Sequence, residues 1–163
     1  MKRFFYIIII LAFGSCEVEY SMLDQSIDAE TFSVQIFDEQ AANAPAGYGI
    51  QFTEFLRDYI VSRTKLKLRK DEADIEISGK ITSYFTSPVS IQSDEQAATN
   101  RLTIGIEVSV INNKNEKDSF EQNFSQFSDY ESSQDLSSVE ADLLEDINEK
   151  LAQDIVNKLS SNW

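Results

Sequence analysis

The sequence has no histidine, a single cysteine (Cys16), two prolines and five glycines in 163 residues, and its 14 Lys and Arg are outnumbered two to one by 28 Asp and Glu. Several of these scarcities remove a class of answer. Without imidazole there is no Ser-His-Asp triad, no histidine general base and no His-ligated zinc. One thiol forbids an internal disulfide. A formal charge of −14 argues against nucleic-acid binding, which needs cations facing phosphates. The acids show neither calcium-loop spacing nor a carboxylate set in a recognisable apolar pocket, so no catalytic residue, metal or diffusible cofactor is expected. With 42% hydrophobic and 11% aromatic residues the chain is nonetheless no acidic disordered tail: it has the material for one packed core.

The one long apolar run is Phe4 to Phe13, behind Lys2 and Arg3 and ahead of Gly14, Ser15 and Cys16. A helix of ten residues covers roughly 15 Å, half of a hydrocarbon core of about 30 Å, so the run is too short to span a bilayer and reads as a signal peptide. Small residues before the lone cysteine form a lipobox-like pattern. The expectation is removal of residues 1–15, a covalent acyl and diacylglycerol anchor (palmitate-type chains) on Cys16, a lipidated tether over 16–30 and one domain over 31–163. A plain secreted protein with a chance cysteine is the alternative. Cleavage takes away two cations and no acid, leaving 12 cations against 28 acids, a net charge of −16. Several acyl chains together hold such a domain on a membrane that its charge would not favour.

Alternation and helical spacing lay out the mature chain. Phe32, Val34 and Ile36 alternate with Ser33 and Gln35 in a half-buried strand over Thr31 to Phe37. Phe52, Phe55, Leu56, Tyr59 and Ile60 recur as one face of a helix. Leu66 and Leu68 suggest a short strand, and Ile75, Ile77, Ile81 and Phe85 a longer one, with Pro88 disturbing pairing or sitting on an edge. The clearest strand is Leu102 to Val110, apolar at every even position. Asn112 to Asn115 reads as a hairpin turn returning the chain through Phe120 to Phe127, where the opposite parity of Phe124 and Phe127 suggests a bulge. Ser137 to Glu140 matches a capping box before a second helix carrying Leu143, Leu144, Ile147, Leu151, Ile155 and Leu159. One-sided strands and one-sided helices must face each other. The expected fold is therefore α+β: a two-layer sandwich with two helices on one face of a mostly antiparallel four- or five-stranded sheet.

One polar feature stands out. Arg63, Lys65, Lys67, Arg69 and Lys70 gather five of the twelve mature cations, and alternation places Lys65, Lys67 and Arg69 on one face. Such residues either protect a sheet edge from unwanted pairing or bind phosphorylated sugars through charge-assisted bonds.

Several phrases carry a family likeness: Thr31-Phe32-Ser33-Val34, Pro88 to Gln92 (PVSIQ), Asn100 to Ile104 (NRLTI), Phe120-Glu121-Gln122, Phe124-Ser125, Asp129-Tyr130, Leu136 to Glu140 (LSSVE) and the closing Asn162-Trp163. With these the chain resembles the LptE family of outer-membrane lipopolysaccharide-assembly lipoproteins, in the form found in Bacteroidota. The resemblance implies a non-catalytic, lipid-anchored outer-membrane domain that plugs the β-barrel LptD, helps it assemble and supports lipopolysaccharide delivery to the cell surface. Partners so implied are LptD, the outer membrane and lipopolysaccharide, with Lys65, Lys67 and Arg69 the candidate lipopolysaccharide contacts; no nucleic acid is expected. A free-standing surface lipoprotein binding glycans or proteins is the alternative.

Overall fold

The computed structural model describes residues 27–89 and 99–161. The expected signal peptide, the anchor at Cys16, most of the tether and Trp163 lie outside the described residues. In chain order the elements are β1 (Thr31–Val34), β2 (Asp38–Glu39), α1 (Tyr48–Arg63), β3 (Lys67–Leu68), β4 (Ile75–Val89), β5 (Thr99–Asn112), a 3-10 turn (Glu116–Asp118), β6 (Phe120–Glu131) and α2 (Leu136–Ser161). They form one sheet in the order β3-β1-β4-β5-β6, with β2 pairing β4 beyond the end of β1. The long ladders, β4 to β5 and β5 to β6, are antiparallel; the short strands β1, β2 and β3 add parallel pairs.

β5 sets the plan. Leu102, Ile104, Ile106, Val108 and Val110 all point to one face and are buried there, joined by Phe32 and Val34 from β1 and Ile75, Ile77 and Ile81 from β4. Tyr48, Phe52, Leu56 and Ile60 of α1 and Leu143, Leu144, Ile147, Leu151, Ile155 and Leu159 of α2 close over them in a single cluster. Each such aliphatic side chain taken out of water contributes about 1.5–3 kcal/mol. Both helices lie on the same face, as the sequence pattern requires, and among the described residues the other sheet face stays open. Gly79 falls on the inner face between Ile77 and Ile81, and a Cβ there would lie 2.4 Å from the Phe37 ring. Its missing side chain is the hollow that ring fills.

The structure departs from the sequence expectation at several points, each with a local cause. β1 ends at Val34, the chain bends, and Ile36 is 58% exposed while Phe37 turns inward. The bulge lies in β4, between Ile81 and Ser83, and not between Phe124 and Phe127. It reverses the parity of the rest of β4, so Tyr84 is buried and Phe85, expected inside, is 48% exposed. β6 runs in unbroken register with β5. Phe124 faces the core, while Phe127 faces out and carries the Arg101 guanidinium 3.6 Å above its ring centre. Asn112 is a strand residue on the buried face, and its side-chain oxygen accepts bonds from the Lys114 and Asn115 N–H groups, fixing the turn that follows. α2 starts at Leu136, ahead of the expected cap: Ser138 donates to the Asp135 carbonyl, and Glu140 accepts from the Tyr84 hydroxyl in place of any capping role. Pro88 pairs only across to Asn100, beyond the reach of β1 and β2, so its missing N–H faces an open edge.

The two helices are also joined by one buried polar bond. Tyr48 donates to the Asn148 side-chain oxygen at 2.6 Å, with both residues enclosed. Burial raises the Tyr48 pKa, so the phenol stays a donor. Tyr48→Phe should cost about 1–3 kcal/mol in denaturant unfolding because it strands the Asn148 amide. Adding Asn148→Leu should recover part of that loss; a double variant weaker than the sum of the singles would show that the bond is not the cause.

Candidate functional site

Helix α1 hands the chain to the basic segment. Arg63, in its last turn, leans toward Glu149 of α2 at 4.0 Å and lies over the Tyr59 ring, so it leaves the cluster in which the sequence groups it. Lys65, Lys67 and Arg69 are all exposed along β3, the short strand at one end of the sheet. Backbone bonds set their positions: the Lys67 N–H donates to the Glu30 carbonyl and the Arg69 N–H to the Phe32 carbonyl. Leu66 is only 5% exposed beneath α1, but Leu68, expected on the same face, is 48% exposed. A two-residue strand at an edge has no second layer over its far end, and Leu68 instead walls a cavity.

That cavity, of about 420 Å³, opens where β1 leaves the sheet. Ser33, Val34 and Gln35 form one side, Leu68, Arg69 and Lys70 another, Asp71, Glu72 and Glu76 a third, and Arg57 reaches in from α1. Glu72 holds a left-handed backbone (φ 50°) that turns the wall back toward β4. Of the three sequence candidates only Arg69 lines this space; Lys65 and Lys67 remain on the strand edge outside it. Lys65, Lys67, Arg69 and Lys70 form no ion pair with any described residue, although acids dominate the chain.

Arg57 is the residue that sequence reasoning passed over. It sits beside the apolar stripe of α1, half-buried, pairing with Glu54 and donating to the Val34 carbonyl. Its Nε is shut off from water without a hydrogen-bond partner. A charged residue directly after Leu56, on the border of an apolar face, is the only sequence sign of it. Together Arg57, Arg69 and Lys70 supply donors suited to phosphate or carboxylate, and Asp71, Glu72 and Glu76 supply acceptors suited to hydroxyl groups. Among the described residues no group of three or more His, Cys, Asp or Glu is placed to hold a metal ion.

A model of the LptE family, lipopolysaccharide-assembly, matches residues 29–159. No curated protein sequence matches the chain. Among solved structures, a minor lipoprotein from Acinetobacter baumannii aligns with TM-score 0.54 and 14% identity, over 82% of this chain and 94% of that one. A hypothetical protein from Chlamydia trachomatis aligns with TM-score 0.56 and 11% identity, over 82% and 97%. A protein from Xanthomonas campestris gives TM-score 0.56 and 9% identity, over 82% and 85%. At such identities the structural likeness establishes the shared fold.

Asp74 pins the loop that carries the cavity wall. Its Oδ2 accepts the Glu30 N–H at 2.8 Å and the Thr31 N–H at 3.0 Å, its own N–H donates to Thr31 Oγ1, and Lys114 lies 3.5 Å away. The Glu30 N–H above all, then Thr31 and the Lys114 ammonium, hold this carboxyl below its ordinary 3.8 against the opposing effect of burial. A depressed folded pKa means stability that is present above the ordinary carboxylate value and lost as pH falls through the folded one. The melting temperature should therefore drop below about pH 4, and Asp74→Asn should lower it at neutral pH and flatten that acid decline. A variant whose curve runs parallel to wild type would remove Asp74 as a cause.

Proposed function

The chain belongs to the LptE family of lipopolysaccharide assembly, and on that premise we propose that it is a non-catalytic, lipid-anchored outer-membrane protein that plugs the barrel LptD and helps it assemble. The family match over residues 29–159 is the observation that carries this reading. LptE proteins are outer-membrane lipoproteins that work with LptD, and the lipobox-like approach to Cys16 suits that location. A folded domain of this length has a radius of gyration of about 15 Å, so a plug of this size needs a barrel wider than a porin. The open sheet face, polar at Ser78, Ser83, Thr103, Ser109, Asn123 and Ser125 and aromatic only around Phe85 and Phe127, suits a wet lumen where many contacts are polar.

The lipopolysaccharide contact is assigned to the β3 edge. Among the described residues its cations have no ion-pair partner, so a phosphate meets them without first breaking such a pair, and a guanidinium group holds phosphate in two-pronged fashion. The acids across the cavity then accept from sugar hydroxyls. Edge protection and ligand binding are compatible uses of the same lysines.

Two measurements test this. The full chain, extracted in detergent from its own cells, should bring LptD with it; recovery alone would end the plug reading. Lys65→Ser, Lys67→Ser and Arg69→Ser combined should weaken binding to purified lipopolysaccharide about tenfold or more, with LptD recovery unchanged. Undiminished lipopolysaccharide binding would return the three cations to edge protection alone.

A further inference from the structure

The two ends of the sheet are built in opposite ways. β3 is two residues long, contains Lys67 and is flanked by Lys65 and Arg69, which is how proteins discourage an edge from pairing. β6 ends the sheet on the other side, and its own residues supply none of these devices; from α2, Lys150 reaches the edge at the Phe127 carbonyl. It is twelve residues long, FEQNFSQFSDYE, without lysine, arginine or proline, and its register with β5 is unbroken from Phe120 to Glu131. Among the described residues no strand pairs with its outer side.

The outer side is equipped for pairing. α2 lies on the inner face of β6 and is tied to it by Gln126, which donates to Asp154 at 2.6 Å. Lys150 of α2 donates to the Phe127 carbonyl at 3.1 Å, so that carbonyl turns away from the β5 ladder. In an antiparallel pair the outward residues recur every second position. Glu121, Asn123, Ser125, Phe127, Asp129 and Glu131 thus direct N–H and C=O groups outward, and all six have exposed side chains. These side chains lie on the open face, where neither helix intrudes.

Charge selects the occupant. β6 carries three acids and no base; Asp129 is already held by Arg101 through two bonds, at 2.7 and 2.9 Å, leaving Glu121 and Glu131 near the two ends. A second copy pairing along the same edge would bring acid against acid within a chain of net charge −14. A strand with basic side chains near its ends meets no such penalty. We infer that the outer edge of β6 takes up an extended segment of the barrel partner, paired backbone to backbone over Glu121–Glu131 once Lys150 releases the Phe127 carbonyl, with basic residues facing Glu121 and Glu131. This rests on the barrel partnership proposed above, and it names the surface used. Backbone bonds supply the affinity in such strand addition, and the alternate side chains supply the choice.

The test uses the full chain co-expressed with LptD. Ser125→Pro removes an outward N–H and leaves the β5 ladder intact, so the variant should fold and yet lower barrel recovery about tenfold or more. Glu121→Lys with Glu131→Lys should lower it as well, more strongly at low ionic strength. A photo-reactive residue in place of Ser125 should give a covalent adduct with the barrel, a readout that needs no destabilising change. Wild-type chain that retains no barrel would defeat the partnership itself. Barrel retained with a folded Ser125→Pro undiminished, or with no adduct from position 125, would overturn the edge assignment alone. An adduct of the chain with a second copy of itself would overturn it too, by showing the wrong occupant.

Discussion

Leu102, Ile104, Ile106, Val108 and Val110 direct every second side chain of β5 to one side, and each is shut off from water there. β5 is the strand with long antiparallel partners on both sides, so its facing decides that of β4 and β6. Two amphipathic helices must then share that one side. Neither described helix covers the opposite side, which carries serines, threonines and ion pairs such as Lys80 with Glu107.

Most of this plan is legible in the sequence because the apolar residues repeat with the period of the element that holds them. The even positions of β5 and the spacing of Phe52, Leu56 and Ile60 or Ile147, Leu151 and Ile155 leave one arrangement that buries them all. What escapes is the place where a period is interrupted. The reversal in β4 turns on a residue opposite Ile106 and Gly105, where the inward run passes from Ile81 to Tyr84; composition offers no mark there, since Ile81 and Phe85 fit the uninterrupted pattern equally well. The parity of Phe124 and Phe127 does leave a mark, but its cause is Arg101, which gives the outward ring a partner across the strands. Opposite parity in a strand has two origins, and only the neighbouring strand distinguishes them.

The candidate site is legible in the same partial way. Cations at Lys65, Lys67 and Arg69 are visible as a cluster, yet alternation treats β3 as if it were covered along its length. Its far end is not, so Leu68 and Arg69 open onto a cavity while Lys65 and Lys67 stay outside it. Arg57 completes that cavity from sequence positions far before it, brought there by the packing of α1 against the end of β1. Nothing local distinguishes it from any other arginine flanking an apolar stripe.

Placing the cations at β3 and the acid-bearing open edge at β6 separates two kinds of surface across the sheet. With strands about 4.8 Å apart, four intervals put these edges roughly 19 Å from each other, which is more than twice the screening length of about 8 Å at physiological salt. Each edge therefore presents its own sign to an approaching molecule, despite a strongly negative total. An anionic glycolipid is attracted at one end while the other end repels it, and a cationic strand experiences the reverse. Net charge alone argues against any contact with a phosphorylated lipid; the gathering of Lys65, Lys67, Arg69 and Lys70 at β3 weakens that objection locally, even with Asp71, Glu72 and Glu76 across the cavity, while β6 carries three acids and no base. The same sheet can then hold a protein partner along one edge and meet a phosphorylated sugar along the other without either occupying the other's place.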